Sequence, residues 1–388
     1  MKYTVILAAL TALVQAAPLI SYGGEPIADS YIVVLKNGIT TDSFKATFDE
    51  TATSQNDHNR KLTIHYKYNS IGGFAATISQ GALQEVLASK DVAYVERDGV
   101  VTIQGIQRSP PSWGLPRISE RKLDISRPYV YNNAAGKGIT AYIIDTGVYI
   151  KHKEFGSRAK WGANFITNST DTDENGHGTH VAGTIGGTTY GVAKKVSLVG
   201  VKVLDASGSG TFSSVIAGID WVVKNGVSGK SVVNMSLGGI KSKAVDDAAE
   251  RLFLANIPLI AAAGNSATDS CTGSPSGAPN TFTVAASDKN DHVADFSSFG
   301  KCVETYAPGV NITSAWIGSS SATNTISGTS MAAPHVAGVA ALYMSFNSLP
   351  TAKSVFDKLT STATTGKITG DLKGSPNRLV FSFFGCTV

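Results

Sequence analysis

Residues Ile326–Phe346 read ISGTSMAAPHVAGVAALYMSF. From Val336 the apolar residues run almost unbroken to Met344, too evenly spread for a single buried stripe, so the segment predicts a helix enclosed on most sides. Ala337, Gly338, Ala340 and Ala341 are small enough to let neighbouring elements approach closely. Ser330 then stands at the start of that helix, behind Gly328. Pro334 is expected in the first turn, where a missing N–H breaks no intrahelical bond. A serine at the positive end of a buried helix suits attack on a carbonyl, because the helix end favours the negative charge that develops. The plainer reading is that Ser330 only caps the helix. A nucleophile elbow, Gly-x-Ser-x-Gly, fits poorly, since Gly328-Thr329-Ser330-Met331-Ala332 lacks the second glycine.

A helix buried on all sides needs a sheet to lie against. Upstream, Ile139–Ile144, Val196–Leu204, Ser231–Leu237, Ile257–Ala263 and Thr281–Ala286 are apolar runs without polar alternation, separated by the helically spaced Thr211–Lys224 and Ala244–Asn256. That alternation predicts an α/β fold with a mostly parallel sheet covered on both faces. Function in such sheets gathers at the C-terminal strand ends. The region from about Ala17 to Gln107 reads differently, with strands at Asp29–Leu35, Gly73–Ile78 and Val92–Val95 and helices at Thr41–Thr53 and Gly81–Ser89, the order of a small α+β domain. Gly105–Ser112, polar and carrying Pro110-Pro111, is expected to be an extended, exposed linker and a natural cutting site.

Length and composition permit this plan. The chain of 388 residues suits one large domain and a smaller one, and 42% hydrophobic residues with 40 glycines indicate a packed, loop-rich protein. A net charge of +4, scattered along the chain, gives no basic patch for nucleic acid. Residues 1–16 combine Lys2, an apolar run from Val5 to Val14 and a small residue at Ala16, which reads as a secretory signal peptide, and no later run is long enough to span a membrane. Three cysteines, Cys271, Cys302 and Cys386, allow at most one internal bridge in an oxidising compartment.

Several strand ends carry residues of catalytic type. Ile139–Ile144 runs into Asp145-Thr146-Gly147, where an aspartate is a turn residue or a partner for a base. His177 and His180 open a helical segment, but no glutamate follows His177 as a His-Glu-x-x-His zinc site requires, so a general base is the better reading for His177. Ile257–Ala263 runs into Gly264-Asn265, whose side-chain amide either satisfies a turn or donates to an oxyanion.

Asp145-Thr146-Gly147, His177-Gly178-Thr179-His180-Val181-Ala182-Gly183-Thr184 and Gly328-Thr329-Ser330-Met331-Ala332-Ala333-Pro334-His335 together resemble the three signature blocks of the subtilisin-like serine proteases, in the order Asp, His, Ser. The resemblance runs from about Trp113 to the C-terminus and is nearest the proteinase K group, through Trp113–Ser119 and Ser297–Gly300. Residues 29–103 resemble the inhibitory propeptide of such enzymes, carried by Tyr31–Leu35 and Val92–Glu96. The resemblance implies a signal peptide at 1–16, a propeptide at 17–107 with its boundary at about 104–108, and a subtilisin-like peptidase domain at 108–388, arranged as a three-layer fold. It implies Ser330 as nucleophile, His177 as base, Asp145 as the residue that orients the imidazole, and Asn265 as oxyanion donor. Gly208-Ser209-Gly210 and Ser236-Leu237-Gly238 would pair with an extended peptide substrate, while Ala263 and Gly264 would wall a shallow apolar cleft for the side chain before the scissile bond. Leu204 and Phe212 would shape a second pocket.

The Cys271–Cys302 spacing resembles a bridge found in other members of the group. A calcium site would map to Pro279, Thr281 and Glu304, with Glu304 where the group has aspartate, and Arg121 occupies a ligand position of a second site. No cofactor is expected for the chemistry. The sequons at Asn168 and Asn311 are candidate glycosylation sites, and that at Asn234 falls in a strand expected to be buried. The expectation is therefore a secreted, monomeric endopeptidase of broad specificity cutting after hydrophobic or aromatic residues, made as a self-processing zymogen whose propeptide is both chaperone and inhibitor. The rivals are a vacuolar digestive protease and a catalytically silent binding homologue.

Overall fold

The computed structural model describes residues 16–20, 26–51, 60–99 and 104–382, so the signal-peptide reading and Cys386 lie outside the described residues. The chain divides into two compact units, residues 1–102 and 103–388.

The first unit is a five-stranded sheet in the order Leu19–Ile20, Val92–Gly99, Pro26–Leu35, Gly73–Ile78, Leu62–Tyr68. All pairings are antiparallel except that of the short Leu19–Ile20 strand with Val92–Gly99. Helices Thr41–Glu50 and Gln80–Ala88 supply Phe44, Phe48, Leu83 and Val86 to a core shared with Val33, Phe74 and Val95. Thr40 and Ser43 close a reciprocal capping box at the first helix, which fixes where it begins. The strand Leu62–Tyr68 was not expected. It alternates half-buried and exposed positions with His65 and Lys67 outward, a pattern carrying little apolar signal.

The second unit is organised by a nine-stranded sheet in the order Ala159–Asn164, Ser197–Lys202, Thr140–Asp145, Ser231–Met235, Leu259–Ala262, Phe282–Ser287, Thr305–Pro308, Arg378–Leu379, Thr364–Thr365. Every pairing is parallel except the last. Alternate residues of each strand enter opposite cores, which is why the strands read as unbroken apolar runs. Ala141 and Ile143 face the side holding helices His177–Gly186 and Thr329–Phe346. Tyr142 and Ile144 face the side of Phe212–Asn225 and Lys243–Leu254. The expected three-layer α/β architecture is what forms.

Helix Thr329–Phe346 is buried at every position from Met331 to Met344. Burial of Val336, Val339 and Leu342 stabilises the fold by roughly 1.5–3 kcal/mol each. It packs on the three strands Ser231–Met235, Leu259–Ala262 and Phe282–Ser287 and against the histidine-bearing helix. Pro334 is not in its first turn as expected. The helix begins at Thr329, so Pro334 falls in the second turn and leaves the Ser330 carbonyl without its intrahelical donor. The Ser236 hydroxyl, from the end of the neighbouring strand, supplies the missing hydrogen bond at 2.8 Å.

The segment read as an exposed linker is partly structured. Gln104–Gln107 is a strand paired antiparallel with Tyr129–Asn132 within the second unit, and Gln107 Nε2 donates to the Thr189 carbonyl at 3.0 Å.

Candidate active site

The sheet's strand order reverses about Thr140–Asp145, which lies between Ser197–Lys202 and Ser231–Met235. That puts Asp145 at the carboxyl edge of the switch point, where open α/β sheets form their ligand crevice. Histidine helix His177–Gly186 starts directly above it. The approach is so close that a Cβ on Gly178 would lie 2.0 Å from the Gly147 carbonyl oxygen. Only glycine fits there.

His177 Nδ1 and Asp145 Oδ1 are 2.7 Å apart. Asp145 is fully buried and its Oδ1 also accepts from the Thr146 N–H at 2.7 Å, which fixes the carboxylate. Burial pushes the His177 imidazole toward its neutral form, but the Asp145 charge and hydrogen bond, helped by the Asp173 charge, outweigh it and hold the pKa above the ordinary imidazole value. His180, one turn on, behaves differently. It is fully buried, its Nε2 lies 3.0 Å from the Ile312 carbonyl, and burial pushes its pKa down to about 4.

Ser330 enters from the first turn of the buried helix. Its Oγ donates to the Ser236 carbonyl at 3.1 Å, and no hydrogen bond joins it to His177 in this conformation. With the Ser236 hydroxyl bound to the Ser330 carbonyl, the serine backbone is held from two directions. Asn265 stands alongside. Its Oδ1 accepts from both the Thr329 N–H and the Thr329 hydroxyl at 2.8 Å each, which leaves the Nδ2 donors for the cleft. Thr329 Oγ1 in turn accepts from the Gly264 N–H at 3.1 Å. Thr329 thus orients the amide, a role that its position beside Ser330 hinted at but did not state.

Two cavities meet along Leu237-Gly238-Gly239. One, about 500 Å³, is lined by His177, the Gly208-Ser209-Gly210 segment, Ser236, Leu204 and Phe212. The other, about 450 Å³, is lined by Ala262, Ala263, Gly264, Asn265 and Ser330. Gly264 has φ of +108°, which favours glycine at the wall beside Asn265. The structure therefore places every expected substrate-segment residue in the lining of these two adjoining cavities, with His177 in the first, Ser330 in the second and Asp145 buried beneath. Cys271 and Cys302 are joined in a disulfide, and the bridge anchors the Asp269–Gly273 loop that closes the second cavity.

Residues that sequence reasoning missed lie beneath this surface. Lys202 is fully buried, with Nζ donating to the Thr146 and Leu204 carbonyls at 2.7 and 2.8 Å. Asp173 is 4% exposed and accepts hydrogen bonds from both the Asp145 turn and the histidine helix. Buried polar residues that bond across loops leave no periodic signal in a sequence.

The calcium expectation can be tested on its donors. Thr281 and Glu304 line one cavity of about 350 Å³, and the buried Thr281 Oγ1 has no partner among the described residues. Burial raises the Glu304 pKa, while Arg378, 4.0 Å away, opposes the shift. An oxygen-only donor set of this kind fits calcium, with Arg378 as the competing cation. Arg121 donates to Thr364 Oγ1 at 3.2 Å and lies over the Phe381 ring. Asn168 and Asn311 are exposed, whereas Asn234 is fully buried with Nδ2 donating to Ser236 Oγ at 2.9 Å.

A parallel α/β sheet whose carboxyl edge gathers an aspartate, a histidine and a serine in that chain order defines a class of serine hydrolases. The chain belongs to the subtilase family, whose pattern its residues 136–379 match, and is a subtilisin-like serine protease. Residues 30–104 match the peptidase inhibitor I9 family, a propeptide inhibitor domain. The chain is 45% identical to subtilisin-like protease 2 of Pseudogymnoascus destructans, over 98% of this chain and 99% of that one. It is 44% identical to a cuticle-degrading serine protease of Arthrobotrys oligospora, over 92% of this chain and 91% of that protein. A crystal structure of a cold-adapted subtilisin-like serine proteinase superposes with a TM-score of 0.68 at 48% identity, covering 71% of this chain and 99% of that one.

Proposed function

We propose that this chain is a secreted, monomeric serine endopeptidase of broad specificity that cuts after hydrophobic or aromatic residues and matures by cleaving itself. The observation that carries the reading is the 2.7 Å Asp145–His177 pair opening onto the same cleft as Ser330 and Asn265. An extended peptide lies between Gly208-Ser209-Gly210 and Ser236-Leu237-Gly238, paired through its backbone, so few of its side chains are read. The residue before the scissile bond enters the cavity walled by Ala263 and Gly264. Ser330 Oγ turns from the Ser236 carbonyl toward His177, gives up its proton and attacks the carbonyl carbon. The oxyanion is received by Asn265 Nδ2 and the Ser330 N–H, which has no intrahelical acceptor in the first turn. His177 passes the proton to the leaving amine, and water then releases the acyl group by the same steps.

The propeptide inhibits until cut, and the cut falls at the N-terminal edge of the 104–108 window, because Gln104–Gln107 already pairs with Tyr129–Asn132 in the catalytic unit. Calcium held by the Pro279 and Thr281 carbonyls and the Glu304 carboxylate would cross-link loops and take no part in the chemistry. Asn168 and Asn311 carry glycans. The test compares wild type with Ser330→Ala and Asn265→Ala on casein and on a chromogenic peptide. Ser330→Ala should be inert and keep its propeptide, while Asn265→Ala should lose about a hundred- to a thousandfold in kcat, the cost measured for subtilisin's own oxyanion donor. Casein cleavage by Ser330→Ala at the wild-type rate would sink the assignment.

A further inference from the structure

Asp173 belongs to no part of the mechanism so far, yet it is more heavily bonded than any triad residue. Its Oδ1 accepts from Thr146 Oγ1 at 2.8 Å, the Gly176 N–H at 2.9 Å and the Asn175 N–H at 3.0 Å. Its Oδ2 accepts from the Thr179 N–H at 2.9 Å and from the Thr179 hydroxyl at 2.5 Å. Apart from the local Asn175 N–H, these donors come from two sources. Thr146 follows Asp145 at the strand end, and its Oγ1 also accepts from the Gly178 N–H at 2.9 Å. Gly176 and Thr179 belong to the N-terminus of the histidine helix, whose N-cap, Gly176, has no side chain to offer. One buried carboxylate therefore ties the turn carrying the acid to the helix carrying the base. No cation forms a salt bridge with it among the described residues.

We propose that Asp173 is a positioning residue for catalysis, holding Asp145 and His177 in register and keeping a second negative charge beside the imidazole. This rests on the reading of His177 as the base. A carboxylate is suited to it because it accepts several N–H and O–H donors at once and donates none. Asparagine cannot replace it fully, since one of its two heads is a donor facing donors. The charged and titratable groups around His177 are few. Asp145 comes from the strand, Asp173 from the preceding loop, and His180, kept neutral by burial, from the same helix. Lys202 lies behind the Thr146 carbonyl, 3.6 Å from Glu174. Removing the Asp173 charge thus leaves Asp145 alone to oppose the burial of the imidazolium.

The experiment uses the full chain, matured where it matures, with Asp173→Asn, Thr146→Val and Thr146→Ser assayed on a chromogenic peptide over a range of pH. Asp173→Asn should lower kcat by about ten- to a hundredfold, the scale of a small misplacement of catalytic groups. KM should stay within about twofold, because Asp173 lines neither cavity, and the acid limb of kcat/KM should move to lower pH. Thr146→Val, which cuts the link to the turn, should lower kcat, and Thr146→Ser should restore it. Wild-type kcat and an unmoved acid limb in Asp173→Asn would overturn the proposal. So would failure of both Asp173→Asn and Thr146→Val to accumulate as folded protein while Thr146→Ser folds, since the role would then be structural. Cleavage by Ser330→Ala defeats the protease reading whatever Asp173 does, whereas a normal Asp173→Asn beside an inert Ser330→Ala defeats only this inference.

Discussion

Changing Ser236 to Ala tests how the nucleophile is held. The hydroxyl is a substitute donor: Pro334 removes the N–H that would have met the Ser330 carbonyl, and Ser236 Oγ meets it at 2.8 Å instead. The same oxygen accepts from Nδ2 of Asn234, a residue whose Oδ1 is already buried without a partner among the described residues. Ser236→Ala strands the Ser330 carbonyl and the Asn234 amide together, and at about 1–3 kcal/mol for each buried group left unmade, the loss should be roughly 2–6 kcal/mol. For a unit of this size that lowers Tm by roughly 3–10 °C. The diagnostic measurement is the double-mutant cycle. Pro334→Ala restores a backbone donor to the Ser330 carbonyl, so Ser236→Ala should cost about 1–2 kcal/mol less in that background. Unfolding midpoints in urea and in heat would be read on enzyme sulfonylated at Ser330, which suppresses self-digestion. Equal costs in both backgrounds, to within about 0.5 kcal/mol, would refute the reasoning.

Three further outcomes are expected. Because the His177 pKa lies above the ordinary imidazole value, the base is protonated to a higher pH than usual, and kcat/KM should fall on acidification with a midpoint above that value. Asp145→Asn should bring the limb down and lower kcat by about four orders of magnitude, the loss known for the same change in trypsin-type enzymes; a pH–rate profile unaltered by that substitution would contradict the pairing. Paired Cys271→Ser and Cys302→Ser should destabilise the catalytic unit by about 3–4 kcal/mol, from the 31-residue separation of the bridge. Since the bridged loop closes the second cavity, KM should rise more than kcat falls, and peptide kinetics below the lowered Tm would show it.

Much of this was legible because it is periodic or terminal. The strands Thr140–Asp145 and Leu259–Ala262 are buried on both faces, so they stand out as apolar runs, and Asp145 and Asn265 are legible as the polar residues that follow such runs. Element ends were less visible. Gly328 makes no side-chain cap, so nothing in the sequence marks Thr329 as the helix start, and Pro334 was read one turn too early. Leu62–Tyr68 hid behind its exposed face. Thr329, Asp173 and Lys202 act through contacts across loops that close only when the sheet is assembled.

That dependence on assembly has a consequence in time. His177 and Ser330 are held on helices whose positions depend on a sheet built almost wholly from parallel, non-local pairings. Such a topology closes its longest loops last and forms slowly. Ser330 reaches the cleft only once the strands Ser231–Met235, Leu259–Ala262 and Phe282–Ser287, which lie between it and His177 in sequence, are in place. Until helix Thr329–Phe346 docks on those strands the nucleophile is not in place, so proteolytic activity is delayed through the interval in which the chain is most easily cut.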